Sequence, residues 1–246
     1  MAIDLKAMRA KLSQLNSKGS NSSGPKFWKI PDGESVIRVL PAKDGDPFKE
    51  FHFHYNVGKE NGFLCPKKNF GEKCAVCDFV AKLYKDGDDD SKAAAKGLSS
   101  RQRFTTPIVV RGEEKEGVKL WSYSKKVYEA LLGLVLNPDY GDITDEKEGI
   151  DLVLTYGKAP GALYPDTKIT PRRKSSAITS DPELRAELMD VEVDYGQIFE
   201  RKTPEQVQQI LERHLLGDEK EEVVKEGSSS TRDEDEIDRK FSDMLS

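Results

Sequence analysis

The sequence predicts an α+β fold in which short strands and helices are mixed. Runs with the alternating apolar pattern of strands, such as SVIRVLP at 35–41, follow turn signals such as PDGE at 31–34. Runs with helical periodicity, such as 75–84, are inserted between these strands. Strands and helices do not alternate in the regular way of a parallel sheet, which favours a mixed fold over a doubly wound one.

The predicted elements are justified in chain order by periodicity and by turn or cap residues. A short amphipathic helix is predicted at 1–18, followed by a Gly/Ser-rich linker at 19–25. Strands are predicted at 27–30, 35–41, 48–55, 107–111, 118–123 and 151–158. Helices are predicted at 75–84, 126–136, 182–189 and 203–216, and the polar stretch 86–91 is predicted to be a loop.

The ends of the chain differ in composition from its middle, which predicts three parts. Residues 1–24 hold the amphipathic segment and linker, and residues 25–216 hold the predicted core. Residues 217–246 are expected to form a disordered acidic tail. From position 218 onward there are eleven acidic and five basic residues, in a chain whose net charge is −5. Such tails often act as interaction segments.

Cysteine usage and apolar patterning exclude secreted and membrane-spanning classes. The chain has three cysteines, an odd number that cannot fully pair. Its opening residues, MAIDLKAMRAKL, contain no continuous apolar run of the kind that a secretory signal needs. No apolar run reaches the ~20 residues that a membrane-spanning helix requires. We therefore expect a cytoplasmic protein with reduced thiols and no membrane partner.

A cluster of thiols and imidazoles predicts one structural zinc ion. All three cysteines, Cys65, Cys74 and Cys77, lie within 13 residues, just after His52 and His54. Thiolates and an imidazole in a set of four are ligands that Zn²⁺ prefers. The spacing Cys74-x-x-Cys77 supplies two ligands from the first turn of a helix. A closed shell of four protein ligands leaves no position for a reactive water, so the ion is expected to be structural.

The fourth ligand and two alternative interpretations stay open at this point. His52 and His54 have the same parity on a strand, and His54 is preferred because Asn61-Gly62 would turn a short hairpin between it and Cys65. A thioredoxin-like redox pair would need a βαβ context that the flanking sequence lacks. Buried, chemically inert cysteines would not explain the neighbouring histidines.

Two stretches combine cations with aromatic side chains, which single-stranded nucleic-acid binding needs for phosphate contacts and base stacking. The first, between Ser99 and Lys126, contains Arg101, Arg103, Phe104, Arg111, Trp121, Tyr123, Lys125 and Lys126. The second, between Lys158 and Lys174, contains Tyr164, Lys168, Arg172, Arg173 and Lys174. Trp121 and Tyr123 have the same strand parity, so their rings are expected on one face. Core packing is the simpler interpretation for any single ring.

The order of these features resembles the T4-type bacteriophage single-stranded DNA-binding (helix-destabilising) proteins. SVIRVLPAKDGDPF resembles that family's opening strands, and His-…-Cys65-x8-Cys74-x-x-Cys77 resembles its zinc lobe. EGVKLWSYSKKVYEAL and KSSAI resemble later segments. The resemblance implies an OB-fold β-barrel core with an inserted zinc subdomain at about 50–100, a self-associating amino-terminal segment, and an acidic tail that recruits replication and recombination proteins.

The resemblance also implies residues that would line a DNA cleft. Its aromatic residues would be Tyr84, Trp121, Tyr123 and Tyr164, and its cations Arg101, Arg103, Arg111, Lys125 and Lys126. The family's compact basic cluster near the chain start is not matched here. The nearest similar string, RQRFTT, lies at 101–106. The missing cluster weakens the expectation of cooperative binding more than the expectation of DNA binding.

We therefore expect a non-catalytic protein that coats single-stranded DNA, largely without sequence preference, in phage replication, recombination and repair. It would act in the cytoplasm of the infected bacterial host. The sequence contains no Walker A, GxGxxG or GxSxG pattern to support an enzyme. The alternative is a zinc-stabilised protein-interaction adaptor of the replication machinery with little DNA affinity of its own.

Overall fold

The computed structural model describes residues 25–162 and 164–217. The predicted amino-terminal helix and most of the linker, at 1–24, lie outside the described residues, as does the acidic segment 218–246. Among the described helices, none combines the length and the apolar character that crossing a membrane would need.

In the described part of the chain, eight strands form one sheet with mostly antiparallel pairing. They are β1 (Lys26–Trp28), β2 (Gly33–Val39), β3 (Lys49–His54), β4 (Phe63–Leu64), β5 (Arg101–Val110), β6 (Lys119–Tyr123), β7 (Ile150–Gly157) and β8 (Asp166–Ser175). The order along the main path is β1-β6-β5-β2-β7-β8, and β3 pairs with both β4 and β5. The short pair β1–β6 is parallel. The long strand β5 is shared, because its first half pairs with β3 and its second half with β2.

Seven α-helices are described around this sheet. They are α1 (Pro66–Phe70), α2 (Ala75–Asp86), α3 (Asp89–Leu98), α4 (Lys125–Val135), α5 (Pro182–Asp190), α6 (Tyr195–Ile198) and α7 (Pro204–Leu216). Helix α7 shows how local sequence sets these bounds: Thr203 and Gln206 form a capping box, and Gly217 ends the helix at φ 71°. The predicted α+β class is confirmed.

The main core lies between the sheet and α4. Apolar side chains from β2, β5, β7 and α4 meet there without exposed area, among them Ile37, Ile108, Leu131, Leu152 and Leu154. A buried ionic network ties three of the strands together. The Asp151 carboxylate on β7 accepts hydrogen bonds from Arg38 on β2 and from Arg111, which directly follows β5, with Nε–Oδ1 distances of 3.0 and 2.9 Å.

A second core supports the inserted lobe of 55–98. It contains the buried side chains of Val57, Phe63, Val76 and Leu98, packed against the apolar face of α7. Since α7 lies more than a hundred residues further along the chain, the lobe is completed only when the end of the described chain returns to it. The lobe and the sheet therefore form through contacts of long sequence separation.

Candidate metal centre and nucleic-acid interface

Four side chains converge inside the lobe: His54, Cys65, Cys74 and Cys77. Their ligand atoms all lie within 4.8 Å of one another. The His54 Nε2 atom is 3.4 Å from the Sγ atoms of both Cys74 and Cys77, and the Sγ atoms of Cys65 and Cys77 are 3.5 Å apart. Ligand atoms around a tetrahedral zinc ion are roughly 3.3–3.8 Å apart, given Zn–S bonds of ~2.3 Å and Zn–N bonds of ~2.0 Å. The donor set and its spacing fit one zinc ion.

His54 and His52 have different environments. His54 is fully buried, and its Nδ1 atom lies 2.9 Å from the carbonyl oxygen of Leu98. Because a carbonyl can only accept, Nδ1 carries the proton and Nε2 presents its lone pair to the thiols. The His52 ring instead pairs with the Glu50 carboxylate at 2.9 Å and keeps part of its side chain exposed. Of the two histidines, His54 is the one that joins the cluster.

Strand and helix ends position the thiols. Cys65 follows β4 and is the N-cap of α1, where Pro66 begins the helix and Gly71 ends it in a left-handed conformation. Cys74 is the N-cap of α2, and Cys77 lies in the first turn of that helix. Backbone N–H groups at helix starts favour negatively charged sulfur, so these positions suit thiolate ligands.

The Asn69 side chain fixes the lobe against β3. Its amide oxygen accepts from the His52 N–H at 2.9 Å, and its Nδ2 donates to the carbonyl oxygens of His52 and Cys65 at 2.7 and 2.9 Å. The Cys65 N–H also donates to the His52 carbonyl at 2.8 Å. These bonds hold Cys65 beside the strand that carries His54.

The thiols share hydrogen bonds in a way that favours ionisation of one of them. Donation from Cys74 and Cys77 lowers the pKa of Cys65 to about 3, helped by the Lys68 N–H, which lies 3.4 Å from the sulfur. The pKa of Cys77 is raised, because its proton is held by Cys65 and Cys74. A bound cation would replace these shared protons, since the thiolate is the form that ligates metals.

Several residues predicted to contact DNA are buried in the core, which corrects the sequence-based expectation. Trp121 and Tyr123 do share a face, with ring centroids 4.4 Å apart, but the face is the inner one and they are 2% and 4% exposed. Phe104 is 1% exposed and stacks on Tyr128 at 3.8 Å. With so little exposed area these rings cannot stack on bases in this conformation, because the sheet and α4 enclose them. Arg103 is also buried, at 5% exposure.

Arg111 was expected to be one of the cations that line the cleft, and its guanidinium group is bound by protein groups. It donates to the Asp151 carboxylate and to the carbonyl oxygens of Ala177 and Ile178. These bonds join the end of β5 to the segment after β8. Arg111 is held there because the negative charge of the buried Asp151 carboxylate is compensated by two guanidinium groups, those of Arg38 and Arg111.

The remaining predicted cations and rings stay accessible and fall into two groups. Lys125 and Lys126 lie exposed at the start of α4, and Lys126 forms an ion pair of 2.7 Å with Asp166 at the start of β8. Arg172, Arg173 and Lys174 are exposed towards the end of β8. Tyr164 is half-buried just before that strand, Arg101 is half-buried at the start of β5, and Tyr84 is 50% exposed on α2 of the lobe.

Strand β8 was not predicted as a strand, and it carries a run of exposed basic residues. It is the last strand of the sheet, paired with β7 on one edge. Lys168, Arg172, Arg173 and Lys174 are exposed, whereas Ile169 packs against the main core. The pairing with β7 is irregular between Pro171 and Ser175. From Asp166 to Lys174 the strand is about 26 Å long, at ~3.3 Å per residue. We call the four exposed basic residues of β8, together with Lys125 and Lys126, the basic edge.

A partly exposed aromatic cluster was also not singled out from the sequence. Phe51 on β3 contacts Tyr195 and Phe199, with ring centroids 5.3 and 4.8 Å away. Phe27 on β1 lies 5.9 Å from Phe199. The alternation FKEFHF shows that Phe51 and Phe53 share a face, but no local pattern shows that residues near 195–199 return to cover it.

Comparison with known proteins identifies a family for most of the chain. A family model described as gp32 DNA binding protein like matches residues 31–216. No curated protein matches the sequence. The matched range includes strands β2 to β8, the lobe with the four converging side chains, and all seven described helices, and β1 lies just before it.

Proposed function

Since the chain belongs to the gp32-like family of DNA-binding proteins, we propose that it coats single-stranded DNA, largely without sequence preference. The observation that carries the proposal is the family match over the core, together with exposed cations on the basic edge. Single-strand binders combine a basic track for phosphates with rings on which bases stack. By holding unpaired strands the protein would lower duplex stability through mass action, without hydrolysing a nucleotide.

The proposed contacts are those predicted residues that remain accessible. Phosphates would follow the basic edge, at Lys125, Lys126, Arg172, Arg173 and Lys174. Tyr84, Tyr164 and Arg101 are also accessible and are proposed to contact bases or the sugar-phosphate backbone. Cations contact phosphates whatever the base sequence, which is why sequence preference is expected to be weak.

We propose zinc as the resident metal, held by His54, Cys65, Cys74 and Cys77. When bound, the ion would supply structural stability alone, because four protein ligands complete a tetrahedral shell. The chain's contribution is to hold the His54 tautomer through Leu98 and to present the thiols at helix starts. Binding free energy then becomes folding free energy of the lobe.

The biological setting is part of the same proposal. Phage DNA replication, recombination and repair in an infected bacterial host all produce single strands that need coating. We also propose that residues 1–24 mediate self-association along DNA and that 217–246 recruit replication and recombination proteins. Residues 1–24 and 218–246 lie outside the described residues, and their sequences motivate the proposal.

The deciding experiment is a titration of fluorescent oligo-dT with the zinc-loaded full chain at low and high salt, with duplex DNA as competitor. Tight binding that weakens steeply with salt and resists duplex competition would support the proposal. No binding by a folded, zinc-loaded sample would contradict it and would favour the adaptor function. Displacement by duplex at equal concentration would contradict the preference for single strands.

A further inference from the structure

Strand β8 leaves its regular pairing with β7 at the place where three basic residues follow one another. The register is constant as far as the pair Leu152–Pro171, but the next pair is Ile150–Ser175. Between these two pairs β7 has one residue, whereas β8 has three, so β8 contains a bulge of two extra residues. We call the three residues of β8 in this interval the basic bulge: Arg172, Arg173 and Lys174.

The bulge keeps a guanidinium group away from the core. If the regular register continued, Arg173 would lie opposite Ile150, which is buried. Directly opposed residues on paired strands lie on the same side of a sheet. Arg173 also has the strand parity of Ile169, which packs against the main core. Arg173 is nevertheless exposed, as are its two neighbours. The bulge therefore breaks the alternation and leaves three successive cations accessible.

The basic bulge has no anionic partner in the described part of the chain. Its three side chains form no ion pair or hydrogen bond there. Lys126, by contrast, pairs with Asp166 at the start of the same strand. Asp151 lies opposite the bulge on β7, but its carboxylate is buried and pairs with Arg38 and Arg111 at 2.8 and 2.6 Å. The positive charge of the bulge is therefore not neutralised by the described residues.

The backbone is held on both sides of the basic bulge. Before it, Pro171 is paired with β7. After it, the Ser176 N–H donates to the Gly149 carbonyl oxygen at 3.0 Å. The Ser176 Oγ atom accepts from the Nη2 atoms of Arg38 and Arg111 at 2.9 and 3.2 Å. Cations on a backbone that is already fixed lose less conformational freedom on binding a ligand than cations on a mobile segment.

We propose that the basic bulge is a phosphate-binding site that anchors the backbone of single-stranded DNA on the basic edge. Arg172 and Arg173 would donate paired N–H groups to phosphate oxygens, which suit the fork of a guanidinium group. Lys174 would add a point charge. The inference rests on the proposed DNA-binding function and deepens it, because it assigns hydrogen-bonded phosphate contacts to these residues in place of a diffuse attraction.

A substitution that keeps the charge distinguishes these two kinds of contact. Arg173→Lys loses the paired N–H donors, so the oligo-dT affinity of the zinc-loaded full chain is expected to fall roughly tenfold, the worth of one hydrogen bond to a charged group. The slope of log K against log salt should stay the same, since the number of cations is unchanged. Arg213→Lys, at an exposed position on α7, is the matched control and should bind like the unaltered chain. Unchanged affinity of Arg173→Lys would overturn the inference.

An abasic oligomer, which keeps the deoxyribose-phosphate chain and lacks the bases, separates phosphate contacts from base contacts. At low salt, where phosphate contacts are strongest, the fold-loss caused by Arg173→Lys should be the same for this oligomer as for oligo-dT. A loss that occurs only with oligo-dT would contradict the proposal, because Arg173 would then contact a base.

Hydrogen exchange of the unaltered, zinc-loaded full chain gives a measurement that needs no variant, so a folding defect cannot obscure it. Amide exchange at 171–176 is expected to slow when oligo-dT is bound. Unchanged exchange in this segment at saturating oligo-dT would overturn the inference.

The outcomes separate this inference from the function on which it rests. If the unaltered chain binds oligo-dT while the exchange at 171–176 and the affinity of Arg173→Lys stay unchanged, the proposed function stands and the phosphate site is wrong. If the unaltered chain binds oligo-dT in no salt, the proposed function itself fails, and the phosphate site fails with it.

Discussion

The His54 side chain and the Leu98 backbone are joined by a hydrogen bond of 2.9 Å from Nδ1 to the carbonyl oxygen. The bond links the end of β3 to the last residue of α3, 44 residues later. It sets the tautomer that leaves Nε2 available to a metal, and it is buried, so water does not compete for it. The lobe's fold and its ligand geometry therefore depend on each other.

Replacing His54 should impair metal binding far more than replacing its neighbour. His54→Ala removes a proposed ligand, so zinc affinity is expected to fall by more than the ~10–100-fold that loss of an outer-shell partner costs. His52→Ala is the matched control, since the His52 ring pairs with Glu50 outside the cluster. Competition with a chromophoric chelator measures both. Equal losses in the two variants would contradict the assignment of His54.

Removing the metal should destabilise the lobe. At zinc concentrations a thousandfold above Kd, a ligand that binds only the folded state contributes about 4 kcal/mol. For a chain of this size that corresponds to a drop in Tm of roughly 8–16 °C on chelation. Thermal unfolding with EDTA, and after adding back Zn²⁺ or Mg²⁺, gives the comparison. Recovery with Mg²⁺ as well as with Zn²⁺, or an unchanged Tm on chelation, would rule out a structural thiolate site.

Helices with clear periodicity were predictable to within a residue or two. Those predicted at 75–84, 126–136, 182–189 and 203–216 occur as α2, α4, α5 and α7. Their caps and prolines are local signals that tertiary contacts do not alter. The polar stretch 86–91 was expected to be a loop, yet α3 begins at Asp89, because the Asp88 side chain caps it through the Ser91 N–H at 2.8 Å.

The strands were harder to predict where polar residues form them. Strand β5 begins at Arg101 and not at Pro107, because RQRFTT is enclosed by β3, β6 and packed side chains. Strand β8 was missed because its residues are polar and include Pro171. Proline is tolerated on an edge strand, where no further strand needs its N–H. Burial on both sides of a strand is set by the whole fold and cannot be read from one segment.

The convergence of His54, Cys65, Cys74 and Cys77 was predictable because metal-binding chemistry restricts residue type and spacing. Which aromatic residues are accessible was less predictable, since an aromatic residue on a strand has the same local pattern in a core as in a cleft. Trp121 and Tyr123 illustrate this, as both belong to the main core. The choice between the two faces of β6 depends on where α4 packs.

Charge removal along the basic edge should reduce the salt dependence of DNA binding. Replacing Arg172, Arg173 and Lys174 with glutamine removes up to three phosphate contacts, so the slope of log K against log salt should fall by about 2, at ~0.7 per contact. The control removes three exposed charges elsewhere, at Lys92, Lys96 and Lys147. Oligo-dT titrations at several salt concentrations measure the slope. Similar slopes for both triple variants would show that the basic edge does not contact DNA.

Burial predicts opposite consequences for two aromatic residues. Trp121→Ala should destabilise the fold by about 3–5 kcal/mol, because a large buried ring is lost from the main core. Tyr84→Ala should change stability by no more than ~0.5 kcal/mol, since half of that side chain is exposed. If Tyr84 stacks on a base, its loss should weaken DNA binding by about 1–3 kcal/mol. Urea unfolding and oligo-dT titration of both variants separate the two effects, and a stable Trp121→Ala protein would contradict the core assignment.

The buried carboxylate of Asp151 should be among the most sensitive positions in the sheet. It lies between Arg38, which has no exposed area, and Arg111. Asp151→Asn leaves two guanidinium groups close together with no opposing charge between them. Breaking a buried ion pair in this way costs about 3–5 kcal/mol. Urea unfolding is the measurement, with the exposed Asp139→Asn as control.

Because Arg111 also anchors the carbonyl oxygens after β8, amide exchange at 176–178 should rise in Asp151→Asn and stay unchanged in the control. Equal stability of the two variants would contradict this prediction, because other groups would then have to offset the positive charges of Arg38 and Arg111.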